Sequence, residues 1–200
     1  MSIEKSVTTL RLEGSILCLD FINTVENRKK AAPYDYLNSF KDLLKWYAHT
    51  GALSPKIIHT LERLAKDYPQ KATIVFDKCK QLRELLHSIL SRLVAKKSPL
   101  PEDLLLFNRF ISEAYASIEI SFPAGQGLLQ FNAPVLEQVY WWLIKSAVEL
   151  FISPMVTGVK ECPGCGWLFL DKSKNGSRKW CSMRTCGDVS KVKAYMQRQR

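Results

Sequence analysis

Apolar residues recur at helical spacing through most of the first 115 positions. Leu37, Phe40, Leu43, Leu44 and Tyr47 mark one face of a helix that stops at Gly51, a residue suited to a left-handed terminus. Ser54 followed by Pro55 reads as an N-cap with proline in the first turn, opening a helix through Ile58, Leu61 and Leu64 that ends before Pro69. Val75, Cys79, Leu82, Leu85, Leu86, Ile89, Leu90 and Leu93 predict a longer helix, which stops at Lys96 and Lys97 ahead of Pro99 and Pro101. Leu104, Leu105, Phe107, Phe110 and Ile111 predict another, beginning at Pro101. Near the start, Leu17, Phe21, Ile22 and Val25 suit a short helix, while the run from Ile16 to Leu19 equally suits the opening of a strand.

The period then changes. Ile118, Ile120 and Phe122 alternate with Glu119 and Ser121, Gly125 and Gly127 punctuate, and Leu129 and Phe131 resume the alternation, which predicts a β-hairpin. The most apolar stretch runs from Val135 to Val156, but Glu137, Gln138, Lys145, Ser146 and Glu149 interrupt it, so it reads as a core helix begun by Pro134 and ended by Ser153 and Pro154 rather than as a bilayer span. No membrane partner is expected. Together these elements predict an α+β protein: a helix-rich N-terminal domain with a small β-hairpin over residues 1–156, then a smaller module over residues 157–200.

Composition adds three things. Apolar residues make up 46% and charged ones 24% of 200, so the chain can bury a core. No apolar segment with a small-residue cleavage site opens the sequence, so a cytoplasmic location is expected. In a reducing compartment six cysteines read as thiols or metal ligands, and Cys18 and Cys79, each alone among apolar neighbours, read as buried and inert.

The other four cysteines fall within 25 residues, as Cys162-Pro163-Gly164-Cys165 and, fifteen residues on, Cys181 and Cys186. A Cys-x2-Cys arm is a zinc knuckle: a tight turn, permitted by Gly164 and Gly166, brings two thiolates to one tetrahedral ion. The second pair closes the coordination sphere, which marks a structural rather than a catalytic zinc, and the spacing does not suit an iron–sulfur centre. Trp167, Phe169 and Leu170 precede Asn175-Gly176, a hairpin signal, before Cys181 and the terminal segment. Knuckle, hairpin, then ligands at the start of a helix is a treble-clef-like order. The same stretch is basic: from Lys160 to Arg200 ten Lys and Arg face Glu161, Asp171 and Asp188, a net +7 of the chain's +10. One zinc with four thiolates lowers this to about +5, still a surface suited to a polyanion.

Cys162-Pro163-Gly164-Cys165, Phe169, Asp171, the run from Lys174 to Met183 and Cys186-Gly187 resemble the CGNR zinc finger, a C-terminal module of bacterial transcriptional regulators. Upstream, Leu19-Asp20-Phe21-Ile22-Asn23-Thr24 resembles the opening of the ABATE domain usually fused to that finger. Asp188 and Val189 stand where the finger's namesake motif has Asn and Arg, so a cation near the metal is replaced and an anion added. The resemblance implies a DNA-binding regulator, often stress-associated, whose N-terminal domain senses a small-molecule effector.

On the residues themselves, Arg178, Lys179, Arg184, Lys191, Lys193 and Arg198 are the candidate nucleic-acid contacts. If the segment after Asp188 is helical, Val189, Val192, Tyr195 and Met196 form a packed stripe with cations on the other sides. Asp20, Asn23 and Thr24 are polar within an apolar segment, candidates for an effector pocket and equally for capping and buried backbone bonds. Trp141 and Trp142 read as packing, and His49, His59 and His87 as surface or helix-end residues without metal-type spacing. No phosphate-cradling glycine loop, His-Glu-x-x-His or serine elbow is present, so no enzymatic activity is expected, although a hydrolase assembled from distant residues is a further class. RNA or protein binding by the finger is the alternative function, and a homodimer would be natural for a DNA-binder of this size.

Overall fold

The computed structural model describes residues 5–131 and 135–199. Helices α1 (Leu17–Ile22), α2 (Phe40–Thr50), α3 (Pro55–Asp67), α4 (Pro69–Val94), α5 (Pro101–Tyr115) and α6 (Gln138–Ile152) build the larger part. Strands β1 (Ile118–Ser121) and β2 (Leu128–Phe131) pair antiparallel between α5 and α6, with Ile118 opposite Phe131. Strands β3 (Val159–Glu161) and β4 (Leu168–Leu170) form a second antiparallel pair, and α7 (Asp188–Arg198) is the last helix of the chain. The fold is thus α+β and helix-rich.

The ends of these helices follow local chemistry. Ser39 Oγ accepts from Asp42 N and Ser54 Oγ from Ile57 N, so each serine satisfies a donor of the first turn. Helix α2 stops at Gly51, and prolines open α3, α4 and α5. The ambiguous opening segment settles as helix α1. Its Cys18, Leu19, Phe21 and Ile22 are all fully buried, which a one-faced strand would not achieve. The expected start of α6 at Pro134 lies outside the described residues.

Helix α4 is the hub, packing against α1, α2, α3, α5 and α6 and also against β3. Its Leu82, Leu86 and Leu90 are inaccessible to solvent. One buried charge interrupts this face: Arg83, only 3% exposed, makes a fork with Asp35 at 2.8 and 2.6 Å and donates to Thr24 Oγ1 at 2.9 Å. The pair ties α4 to the loop after α1, where Tyr36 N donates to Thr24 O and Glu26 N to Tyr34 O. The β1–β2 hairpin lies on the surface, with Ile120 and Phe122 exposed and Phe131 packed at a tilt on Trp141 and edge-to-face on Trp142 at centroid distances of 5.2 and 5.0 Å. Among the described residues no helix is long and apolar enough to cross a membrane.

Removing Arg83 takes both fork bonds from Asp35, which is 24% exposed and keeps Lys80 at 3.8 Å as an ion-pair partner, and leaves the Arg83 site itself without its charge. Arg83→Met is therefore expected to destabilise the protein by about 3 kcal/mol in urea titrations; a loss well under about 1 kcal/mol would show the fork to be dispensable.

Candidate metal centre and basic surface

Cys162, Cys165, Cys181 and Cys186 come together. Their sulfurs all lie within 4.8 Å of one another, with Cys165 to Cys181 at 3.5 Å and Cys181 to Cys186 at 3.7 Å. Zinc–sulfur bonds of about 2.3 Å at tetrahedral angles place neighbouring sulfurs about 3.8 Å apart, so the cluster has the size of a zinc site with four cysteine ligands. Three of the ligands are buried and Cys186 is half-buried. Hydrogen bonds from Cys165 and Cys181 hold the Cys162 thiol far below its usual range, and the bonds shared with Cys162 push Cys165 and Cys181 up. Four cysteine sulfurs converging on one point suit a dication, whose charge offsets the repulsion between thiolate ligands.

Each ligand is set by its own element. Strand β3 ends at Glu161, Cys162 N donates to Trp167 O at 2.8 Å, and Gly166 N to Cys162 O at 2.9 Å, so the β3–β4 hairpin encloses the knuckle. Gly166 has φ +76°, and a Cβ on Gly164 would sit 3.2 Å from Cys186 Sγ, so the two knuckle glycines are needed for different reasons, one for its dihedral and one for the close approach. Cys186 lies in a five-residue π turn, Met183–Gly187, that leads straight into α7. The ligand order is treble-clef-like.

The hairpin expected at Asn175-Gly176 is not there: among the described residues no strand follows β4. Asp171 takes the donors instead. Its Oδ1 accepts from Ser173 N and Oγ, and its Oδ2 from Arg178 N and from Lys160 Nζ at 2.7 Å. Lys160 also donates to Arg178 O and Gly176 O, so one ion pair gathers the whole loop. Lys160 and Ser173 hold the Asp171 carboxyl well below the usual carboxylate range.

The finger is clasped to the helical part by groups that sequence reading did not assign to this task. Asn23 donates from Nδ2 to Leu168 O at 2.8 Å and accepts at Oδ1 from Leu168 N at 3.0 Å, pairing with β4 as a neighbouring strand would. Trp167 Nε1 donates to Val25 O at 2.6 Å, and Arg28 N to Cys165 O at 3.0 Å. A polar side chain inside an apolar segment was the only signal at Asn23, and it did not name the partner. The other two candidate effector contacts are also engaged: Thr24 Oγ1 donates to Phe21 O, and Asp20 Oδ1 accepts from Gly14 N at 2.7 Å. All three are buried and face protein, each satisfying backbone groups of α1, of the segment before it or of β4.

Of the six candidate nucleic-acid contacts, Lys179, Arg184, Lys191, Lys193 and Arg198 are exposed. Lys179 lies over the Trp180 ring, and Lys191 sits 3.5 Å from Asp188. Arg178 differs: its guanidinium stacks 4.5 Å from the Phe169 centroid, donates to Trp180 O and Cys181 O, and pairs with Glu13 at 3.1 Å. It is a strut of the finger, since its planar face, Nε and Nη2 are all engaged. The stripe expected to pack is instead open, with Val189, Val192, Tyr195 and Met196 each more than half exposed. The contacts of α7 are mainly with its own π turn, and at its first turn Val189 lines a cavity shared with Asn27, Gly164 and Trp180.

Two readings outside the finger resolve. Cys18 and Cys79 are buried, and burial pushes the Cys18 thiol up to about 12 and Cys79 higher, so both are inert. His87 is half-buried within α4 rather than at a surface or helix end, and burial with Arg28 nearby lowers it to about 4.

A family model described as "Putative stress-induced transcription regulator" (ABATE) matches residues 16–154, well over half of the chain, and a second, the CGNR zinc finger, matches residues 159–199. The chain belongs to the ABATE family. Both ABATE and CGNR are regulator and zinc-finger types rather than enzyme families, and the four-cysteine cluster falls inside the CGNR match. The Asp20-to-Thr24 segment falls inside the ABATE match, so the clasp joins the two matched regions. A search of curated proteins finds no match.

Structural zinc supplies on the order of 10 kcal/mol to small modules. Chelation is expected to remove one zinc per chain and abolish the near-UV signal of Trp167 and Trp180, while Cys165→Ser should bind zinc at least an order of magnitude more weakly; a full-length chain whose spectrum ignores chelation would exclude a structural ion. A second test concerns Asp20, which burial raises to about 6. A carboxyl with a folded value above its unfolded one stabilises below the unfolded value and loses that contribution as pH rises through the folded one. The stability of wild type relative to Asp20→Asn should therefore fall by about 2–3 kcal/mol between pH 4 and pH 7, and a pH-independent difference would refute the shift.

Proposed function

We propose that the chain is a DNA-binding transcriptional regulator in which a zinc-held finger over residues 157–200 contacts the nucleic acid and the part over residues 1–156 responds to a small effector. The observation that carries this reading is the placement of Lys179, Arg184, Lys191 and Lys193, all exposed, on one small module beside the metal cluster. Cations held on a rigid frame neutralise phosphates at less entropic cost than the same charges on a free tail. Arg198 extends the set along α7, whereas Arg178 serves the frame.

The effector half of the proposal moves away from Asp20, Asn23 and Thr24, which have partners within the protein. A groove of about 600 Å³ between α2, α3 and α4, with Phe40, Leu44, Ala72 and Phe76 in its wall and Lys41, Glu62 and Lys66 also lining it, has the size and mixed lining of a small-molecule seat. We assign no catalytic role, and cysteines used as buried thiols at Cys18 and Cys79 and as a metal cluster at the other four support a reducing, cytoplasmic setting. Exposed Tyr195 favours single-stranded RNA as the second reading, since an accessible ring can stack on a base.

About four phosphate contacts give a slope near −3.6 for log affinity against log salt. Duplex DNA titrated over a salt series should show that slope, and Arg184→Gln combined with Lys193→Gln should bring it to about −1.8. Affinity should vanish with chelator. A flat salt dependence would exclude the duplex reading, and tighter binding to single-stranded RNA than to duplex would replace it.

A further inference from the structure

Helix α7 presents an apolar stripe between two cationic edges, with the Asp188 carboxylate lying within the same arc at its first turn, 3.5 Å from Lys191 Nζ. Val189, Val192, Tyr195 and Met196 are 52 to 62% exposed. At 3.6 residues per turn Lys193 lies roughly 40° beyond Val189 on one side, and Lys191 and Arg198 roughly 40° to 60° beyond Tyr195 on the other. A second copy of the chain is a poor occupant, because stripe-to-stripe contact would bring the cationic edges of both copies together. A lipid surface is also a poor one: interfacial helices bury Trp, Phe and Leu, and this stripe has none.

A DNA major groove has the matching cross-section, with thymine methyl groups on its floor and phosphates on both walls. It is about 12 Å wide and admits one helix, and eleven helical residues extend about 16 Å along it. Resting on the DNA-binding reading above, we propose that α7 enters the major groove stripe-first. Val192, Tyr195 and Met196 meet thymine C5-methyl groups, Lys193 meets one phosphate wall, and Lys191 and Arg198 meet the other. The finger thereby selects thymine-bearing sequence by apolar contact rather than by hydrogen bonds to base edges.

The test uses the zinc-loaded full chain and a duplex enriched from a random pool, compared with the same duplex carrying deoxyuridine for thymidine, which removes only the methyl groups. Each contacted methyl should be worth about fourfold in affinity, with the salt slope unchanged. A variant carrying Val192→Ser and Met196→Gln should bind both duplexes alike, at or below wild-type affinity for the uridine form, while keeping one zinc per chain. Equal wild-type affinity for the two duplexes, enrichment of duplexes without thymine, or a variant that still prefers thymidine would overturn the proposal while leaving salt-dependent DNA binding intact. So would a variant that dissociates a wild-type dimer, or loses binding to anionic vesicles, with its preference for thymidine unchanged. Failure of the zinc-loaded chain to bind any duplex would instead remove the DNA-binding reading itself.

Discussion

Four cysteine sulfurs within 4.8 Å of one another carry too much charge, once ionised, to stay together without a dication between them. The finger has little else to hold it. Its apolar weight lies in Trp167, Leu168, Phe169 and Leu170, on the side of α1 and its loop, while the segment from Asp171 to Arg198 buries little apart from Cys181 and Gly187. That segment is shaped by two electrostatic devices, the metal cluster and the Lys160–Asp171 ion pair that gathers the loop between the ligand pairs. Loss of either leaves a basic chain with too few apolar contacts to repay its ordering.

The clasp at Asn23 links this module to the rest. An amide side chain that both donates to and accepts from Leu168 stands in for a strand along β4, so an edge that would otherwise expose unpaired polar groups is closed inside the protein. Asn23 directly follows α1, α1 packs on α4 and α6, and Arg83 of α4 reaches the neighbouring Thr24. A chain of buried contacts therefore runs from the hub helix to the knuckle. Such a contiguous set of packed contacts is the physical requirement for an effector site in the helical part to influence the finger.

What the sequence revealed follows from how local each feature is. Caps at Ser39 and Ser54, proline starts and the 3.6-residue spacing are written within a few positions of where they act, and the helices appear where these signals place them. The four cysteines were equally legible, because metal geometry restricts ligand spacing. Features decided at a distance were not. Asn175-Gly176 signals a hairpin only if the flanking backbone is free, and Asp171 had already engaged it through Ser173 and Arg178. Arg178 looks like any surface cation until Phe169 and Glu13 are placed beside it. Asn23 was visible as a polar residue in an apolar run, but its partner lies 145 positions away.

The stripe on α7 is the most instructive difference. Amphipathic spacing identifies a helix and its apolar side without saying what that side meets, and here the side stays more than half exposed among the described residues. An isolated helix of eleven residues is marginal in water, since nucleation costs more than so few hydrogen bonds return. Helix α7 gains little compensating burial. Its support comes from its first turn, where Cys186 and the π turn fix the backbone and Gly187 lies buried against Met183 and Trp180. The metal thus serves as the nucleus of the helix as well as the anchor of the knuckle, so the presence of zinc and the presentation of α7 are one equilibrium. A regulator built this way would lose its contact surface together with its ion while the α4-centred helical core remained folded.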